Sequence, residues 1–259
     1  NSINSADIIG NDTVNIAHSS ANFANKNVAR DASGGIIGQS VTVSGLSLSG
    51  SDAGNYSIAS ETVTSAKITP KALTVAVSVA DKVYDGGTSA TVSAKTSNDI
   101  FSGDAVSIGF AAANFADKNV ARDANGNVME KTATVSGLSL TGADAGNYSL
   151  TSTTATDLAT ISAKALTVSV SVGDKVYDAS TAATVSAKTS SDILGGDTVS
   201  ILHTAANFAD KNVARDPSGQ VVNQTATVSG LSLSGTHAGN YVLQNTSAAG
   251  SAKITPKAL

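Results

Sequence analysis

The chain has 259 residues, with 16 lysines and arginines against 20 aspartates and glutamates and a net charge of −4. The basic residues are spread along it rather than clustered, which speaks against a nucleic-acid partner. The absence of cysteine excludes a disulfide framework and a cysteine-ligated zinc site. Two glutamates, Glu61 and Glu130, and a single methionine accompany abundant Ser, Thr, Ala, Gly, Asn and Val, a composition for short strands and polar turns rather than helices. No run approaches the ~20 apolar residues of a membrane span. No basic segment followed by an apolar one opens the chain, so it reads as an internal piece of a longer, exported protein.

A repeat sets the frame. Ala-Asn-Phe-Ala-Asp-Lys-Asn-Val-Ala-Arg-Asp runs from Ala113 to Asp123, recurs unchanged from Ala206 to Asp216, and appears from Ala21 to Asp31 with Asn25 for the first aspartate. Arg30 to Arg122 is 92 residues and Arg122 to Arg215 is 93, too long for a solenoid rung and right for one small domain each. The predicted organisation is an N-terminally truncated repeat over 1–70 and full repeats over 71–163 and 164–259. Asn1 aligns with Ser93, so the first copy begins about a quarter of the way into the unit.

A full unit opens on an alternating run, Leu73–Val79 or Leu166–Val172, whose large apolar residues fall on one face of a strand. Lys82–Thr88 and Ala90–Ala94, with Lys175–Thr181 and Ala183–Ala187, predict a strand, a tight turn and a strand. Aspartates then pair at fixed spacing: Asp7 with Asp12, Asp99 with Asp104, and Asp192 with Asp197. Two readings stand for them, a calcium loop and simple turn capping. The apolar Ile100 and Phe101 between them favour capping, because calcium needs six to eight converging oxygens.

The repeat marker itself predicts two strand ends around an Asp-Lys-Asn turn, followed by a hairpin at Asp31–Gly34, Asp123–Gly126 or Asp216–Gly219. Arg122, whose equivalents are Arg30 and Arg215, has two flanking aspartates, and the expectation is a local ion-pair network at a strand end. His18 and His203 align with Phe110, a position read as using ring volume in packing; His237 aligns with Asp52 and Asp144, which speaks against a required proton-transfer group.

Near the end of each unit, Asp52-Ala-Gly-Asn-Tyr56, Asp144-Ala-Gly-Asn-Tyr148 and His237-Ala-Gly-Asn-Tyr241 follow a Leu-x-Leu strand. This resembles the tyrosine corner of immunoglobulin-like sandwiches, which implies that the phenol bonds back to the corner backbone. Ile58, Leu150 and Leu243 stand where antibody domains carry their second cysteine, so aliphatic packing would close the core. The last strand, Leu158–Ile161, feeds into the next unit with almost no linker, and Pro70 and Pro256 bias the equivalent junctions to extended geometry. The expected fold is all-β, a tandem array of immunoglobulin-like Greek-key β-sandwich repeats of about 93 residues.

Lys-Val-Tyr-Asp-Gly at Lys82–Gly86, preceded by Lys-Ala-Leu-Thr-Val and followed by Gly-Ala-Asp-Ala-Gly-Asn-Tyr, is similar to the YDG-type repeats of filamentous haemagglutinin-like adhesins, large exoproteins of Gram-negative bacteria. The resemblance implies a repetitive extracellular segment with no catalytic residues and no cofactor. The third unit has Ala179 in place of the name-giving glycine, which predicts that φ > 0 is not required there.

Two functions follow. One is a stalk in which Tyr56, Tyr84, Tyr148, Tyr177 and Tyr241 are framework residues and the partners are adjacent repeats. The other is a module whose loops or tyrosines bind host or matrix glycans or proteins. An enzyme is not expected: there is no cysteine, no recurring Ser/His/Asp set and no phosphate-binding Gly-rich loop.

Overall fold

A computed structural model describes residues 6–259; the start of the truncated repeat at Asn1 lies outside them. The protein is all-β, with short strands and three single-turn 3-10 segments, and among the described residues no helix is long and apolar enough to cross a membrane. The chain divides into two compact units. One comprises Asn1–Ala76, Thr96–Phe110 and Gly137–Thr153; the other comprises Val77–Lys95, Ala111–Ser136 and Thr154–Leu259. The division runs through the middle repeat: the first unit contains the marker of the first repeat, and the second unit contains those of the middle and third repeats.

The second unit shows the plan. Ala205–Phe208, Gln224–Ser229 and Ser247–Ala252 form an antiparallel sheet in which Phe208 stands opposite Ala226 and Ala226 opposite Gly250. The period-2 alternation of Gln224–Ser229 buries Ala226 and Val228 and leaves the threonines between them exposed. Phe208, Ala226, Ala252 and Ile254 make one apolar cluster, covered by Val172, Tyr177, Ala183 and Val213. Gly250 is required here, because a Cβ on it would stand 2.8 Å from Val172 Cγ2. The same unit holds the equivalent sheet of the middle repeat, in which Phe115, Ala133, Val135 and Ile161 are buried.

The opening strands of a repeat run parallel to its closing ones. Lys164–Leu166 pairs with Tyr241–Leu243, and Lys175–Val176 with Ile254–Thr255. Such pairs need a long crossover, which the intervening residues supply. Only Ala163 separates the middle repeat's closing strand, Thr154–Ser162, from Lys164–Leu166.

In the first unit, Ser20–Phe23, Gln39–Ser44 and Glu61–Ala66 form the three-stranded sheet of the first repeat. Lys71–Leu73 lies parallel to Tyr148–Leu150, and its Leu73 is fully buried. The first repeat has no such strand beside Tyr56 among the described residues. Its Phe23 is 40% exposed, against 3% for Phe115 and Phe208. The sheet is therefore open on the face that other repeats close.

Two expectations are corrected by the backbone and by burial. Ala179 has φ 64° and is the one non-glycine residue in the left-handed region among those described, so the turn does require φ > 0 and alanine bears the strain. The ring position shared by Phe110, His18 and His203 is not a core position, because Phe110 is 39% exposed and His18 is exposed. His203 Nδ1 instead stands 3.2 Å from Lys188 Nζ.

Candidate functional site

The polar residues that recur in every unit converge where one repeat meets the next. In the second unit the Asp-Lys-Asn turn of the middle repeat directs Lys118 Nζ to Asp197 Oδ1 of the third at 3.0 Å. Asp197 is held from two more sides, its Oδ2 accepting the Tyr241 hydroxyl at 2.7 Å and the Tyr84 hydroxyl of the middle repeat at 2.8 Å. The carboxylate side chain is only 2% exposed. Burial pushes its carboxyl up, but the hydroxyls of Tyr241 and Tyr84 and the Lys118 ammonium outweigh that and hold it below the usual carboxylate range. Burial is also the main cause that pushes the Tyr241 phenol up to about 12, with the bond to Asp197 adding to it. The rings of Tyr84 and Tyr241 meet edge to face with centroids 5.6 Å apart.

An amide lock sits beside this cluster. Asn240 Oδ1 accepts the backbone N–H of Val120 at 2.9 Å, and its Nδ2 donates to Asn119 Oδ1 at 2.9 Å. Arg122 Nη2 and Nε reach the Gly239 carbonyl at 3.3 and 3.4 Å. Gly86 lies under Leu194 with φ 80°, and a Cβ there would stand 3.3 Å from Leu194 Cδ1.

The first unit repeats the arrangement between the first and middle repeats. Lys26 Nζ lies 3.3 Å from Asp104 Oδ1, Asn147 Oδ1 accepts from Val28 at 2.9 Å while its Nδ2 donates to Asn27 Oδ1 at 2.8 Å, and Arg30 Nη2 reaches the Gly146 carbonyl at 3.2 Å. Tyr148 donates to Asp104 Oδ2 at 2.7 Å and accepts from the Phe101 N–H at 2.9 Å. Lacking an equivalent of Tyr84, this junction leaves a cleft of 410 Å³ beside Asp104 and Tyr148. In both junctions the lysine, asparagine and arginine side chains make hydrogen bonds to the neighbouring repeat, an arrangement that orients the two repeats against each other.

Comparison with protein families finds a YDG domain three times, at residues 1–64, 69–155 and 162–249. The chain belongs to the YDG domain family. No curated protein sequence matches it. Among solved structures it is similar to the first three extracellular domains of Drosophila N-cadherin, at 8% identity over 92% of this chain and 89% of that one with a TM-score of 0.20. It is also similar to a protocadherin γB4 extracellular domain, at 11% identity over 94% of this chain and 43% of that one with a TM-score of 0.26. Neither likeness carries an argument at these scores.

Within this YDG array the tyrosines and corner residues come together, though not as the sequence suggests. The phenols of Tyr56, Tyr148 and Tyr241 bond to an aspartate 44 residues upstream and to a backbone N–H 47 residues upstream, not to their own corner. The corner is a 3-10 turn, and Asp52, Asp144 and His237 each accept a backbone N–H, from Thr13, Ala105 and Thr198, at 2.8–2.9 Å. His237 thus replaces aspartate as an acceptor.

The paired aspartates separate. Asp99 and Asp192 accept the N–H of Thr74 and Thr167, while Asp104 and Asp197 serve the junctions. Among the described residues no three His, Asp or Glu side chains converge as metal ligands do. The expected arginine–aspartate network is also replaced. Arg30, Arg122 and Arg215 bind the carbonyls of Gly34, Gly126 and Gly219 in their own hairpins, and Asp31, Asp123 and Asp216 cap those hairpins through backbone N–H groups. A carbonyl inside the turn lies closer to the fork than an aspartate whose oxygens the turn has already taken. Tyr177 remains half-buried in the third repeat, without the equivalent of Asp197 that Tyr84 meets.

Sequence reasoning missed Lys26, Lys118, Asn27, Asn119, Asn147 and Asn240. Their identity in every copy was the available signal, but lysine and asparagine in a turn are explained equally well by turn chemistry.

Proposed function

We propose that the chain is a spacer: YDG repeats of a secreted or surface-attached Gram-negative adhesin of the filamentous haemagglutinin type, which hold an adhesive region away from the cell. The observation that carries this reading is the use to which the recurring polar side chains are put. Lys118, Asn119, Arg122, Asp197, Asn240 and Tyr241 bind repeat to repeat, and the same set recurs in the first unit from Lys26 to Tyr148. A stalk needs neighbouring modules that do not swivel, and a one-residue connection with a buried polar lock supplies that. The partners are the adjacent repeats, and the reading assigns no reaction and no cofactor.

Two measurements test it together. Single-molecule pulling should give regular unfolding steps of on the order of 300 Å, one per full repeat, from the contour length of an extended chain. An array of glycans and host matrix proteins should return no saturable binding. Saturable binding to an array component, abolished by substitution in the Asp123–Gly126 hairpin, would replace the spacer with a binding module.

A further inference from the structure

The hairpin that follows each repeat marker has one backbone and two chemistries. Gly34, Gly126 and Gly219 close it with φ of 85°, 84° and 85°, and they donate their N–H groups to the carbonyls of Asp31, Asp123 and Asp216 at 3.0, 3.0 and 2.9 Å. The residue before the glycine differs. Ser33 and Ser218 donate their hydroxyls to Asp31 Oδ1 and Asp216 Oδ1 at 2.6 and 2.7 Å. The middle repeat has Asn125 at this place, the one asparagine of the chain that a glycine follows. Its backbone N–H donates to Asp123 Oδ1 at 2.8 Å, and the residue is exposed.

That pairing has a chemistry of its own. An asparagine amide carbon can close a cyclic imide with the backbone nitrogen of the next residue; a Cβ on that next residue obstructs the closure, and glycine has none. A Cβ on Gly126 would itself meet nothing within 4 Å, so no neighbouring group shields its nitrogen. Asp85-Gly86 has the same arrangement with a carboxylate in place of the amide. Lys82 Nζ stands 2.7 Å from Asp85 Oδ1, which also accepts the Gly87 N–H at 2.9 Å, and an ionised carboxylate held in this way is a poor electrophile.

We propose that Asn125 is a site of spontaneous deamidation, and that its conversion loosens the junction between the middle and third repeats. The Gly126 nitrogen gives its proton to solvent and attacks Asn125 Cγ. The new N–Cγ bond forms, the Cγ–Nδ2 bond breaks, and the amide nitrogen leaves as ammonia. Water then opens the imide at either carbonyl, leaving isoaspartate, in which the chain runs through the former side chain, or aspartate. One water is consumed for each ammonia released, and no oxidant or cofactor is needed. The attack requires the Gly126 N–H to leave the Asp123 carbonyl, and opening an exposed hairpin tip costs far less than global unfolding.

Arg122 carries the consequence to the next repeat. Its Nη1 donates to the Gly126 carbonyl at 2.8 Å, while Nη2 and Nε reach the Gly239 carbonyl of the third repeat at 3.3 and 3.4 Å. Isoaspartate lengthens the turn by one backbone carbon and sets a carboxylate on it. The Gly126 carbonyl then leaves its place beside the guanidinium, and Arg122 is no longer held toward Gly239.

The test is to age the whole chain at physiological temperature over a series of pH values and map its peptides by mass spectrometry, with fragmentation that separates isoaspartate from aspartate. A synthetic peptide of residues 121–129 sets the time scale. Asn125 should convert to both products, faster as pH rises because the attacking nitrogen must lose its proton, while Asn119, Asn127 and Asn240 keep their amides. Aged wild-type protein should melt roughly 2–4 °C below fresh protein. Asn125→Ser, which installs the residue of the other two hairpins, should melt alike before and after. In an Arg122→Ala background, ageing should convert Asn125 without moving the melt, since the contact that conversion breaks is already gone. Asn125 still intact once the peptide has converted overturns the site, as does amide loss spread over the other asparagines or a rate indifferent to pH. Converted wild-type protein that melts like fresh protein, or an equal loss in the Arg122→Ala background, overturns the effect on the junction.

Discussion

Asn119 and Asn240 face each other amide to amide across a repeat boundary, Nδ2 to Oδ1 at 2.9 Å, and Asn27 and Asn147 do the same at 2.8 Å in the other unit. Each pair uses one side-chain oxygen to satisfy a backbone N–H of the neighbouring repeat, Val120 or Val28. A backbone donor that depends on a side chain from another module ties the stability of each module to its neighbour.

The first prediction compares two asparagines at equivalent positions. Asn119→Ala removes the partner of the buried Asn240 amide and should lower stability by roughly 1–3 kcal/mol in chemical denaturation. Asn212→Ala, on the uncovered third repeat, should change it by less than about 0.5 kcal/mol in dilute solution. Equal effects would show that the amides are not acting across the junction.

The second concerns pH. Asp197 has its carboxyl held below the ordinary value, so it contributes stability that is fully present above about pH 4, the unfolded value, and is lost as pH falls through the lower folded value. Tyr241 has its phenol raised to about 12, so its contribution is present below about pH 10 and is lost as pH rises toward 12. Thermal melts should therefore show a plateau with an acid and an alkaline fall. Asp197→Asn should lower the plateau and flatten the acid limb, and an acid limb unchanged in that variant would assign it to other carboxylates.

The third exploits one turn in two repeats. Gly86 has φ 80° with Leu194 close overhead, and Ala179 has φ 64° at the same position of the next repeat. Gly86→Ala should destabilise by about 1–2 kcal/mol, the cost of alanine in the left-handed region. Ala179→Gly should stabilise by a few tenths to about 1 kcal/mol, the relief of that strain less the entropy glycine adds to the unfolded chain. Denaturation midpoints moving the other way would show that the turn relaxes.

Much of the fold is legible in the sequence. Strand periodicity, the Asp-x-x-Gly hairpins and the repeat length appear in the structure with Phe115, Val135 and Ile161 facing inward as the alternation requires. The junctions are not legible, for a physical reason. Lys118 and Asn119 sit in a turn whose local chemistry already accounts for them, and their partners Asp197 and Asn240 lie 79 and 121 residues away. Local patterns carry no information about such distances. Similarly, the corner motif identifies a tyrosine but not its acceptor, because Asp104 and Asp197 look like turn caps wherever the long-range pairing is unknown.

Calcium tests the paired aspartates directly. Asp99 is occupied by the Thr74 N–H at 2.8 Å and Asp104 by the Tyr148 hydroxyl at 2.7 Å, so neither is free to turn toward a shared ion without losing its present bond. The melting temperature should be the same in millimolar calcium and in chelator. A rise that grows with the logarithm of calcium concentration is the signature of a site in the native state and would make these residues ligands.

The last prediction concerns the open sheet of the first repeat. In the third repeat, Phe208 is covered by Tyr177 and Ala183, and its N–H donates to the Thr181 carbonyl at 2.8 Å. Phe23 has no such cover among the described residues and is 40% exposed. Hydrogen exchange in dilute solution should therefore be faster through Gln39–Ser44 than through Gln224–Ser229, because local opening costs less where fewer apolar contacts are lost. The side chains should agree with the amides: Phe208→Ala should cost about 3–5 kcal/mol as a core truncation, and Phe23→Ala well under half of that, since much of its ring is already in water. Equal protection and equal costs in a monomer would mean that the sheet of the first repeat is closed as those of the other repeats are.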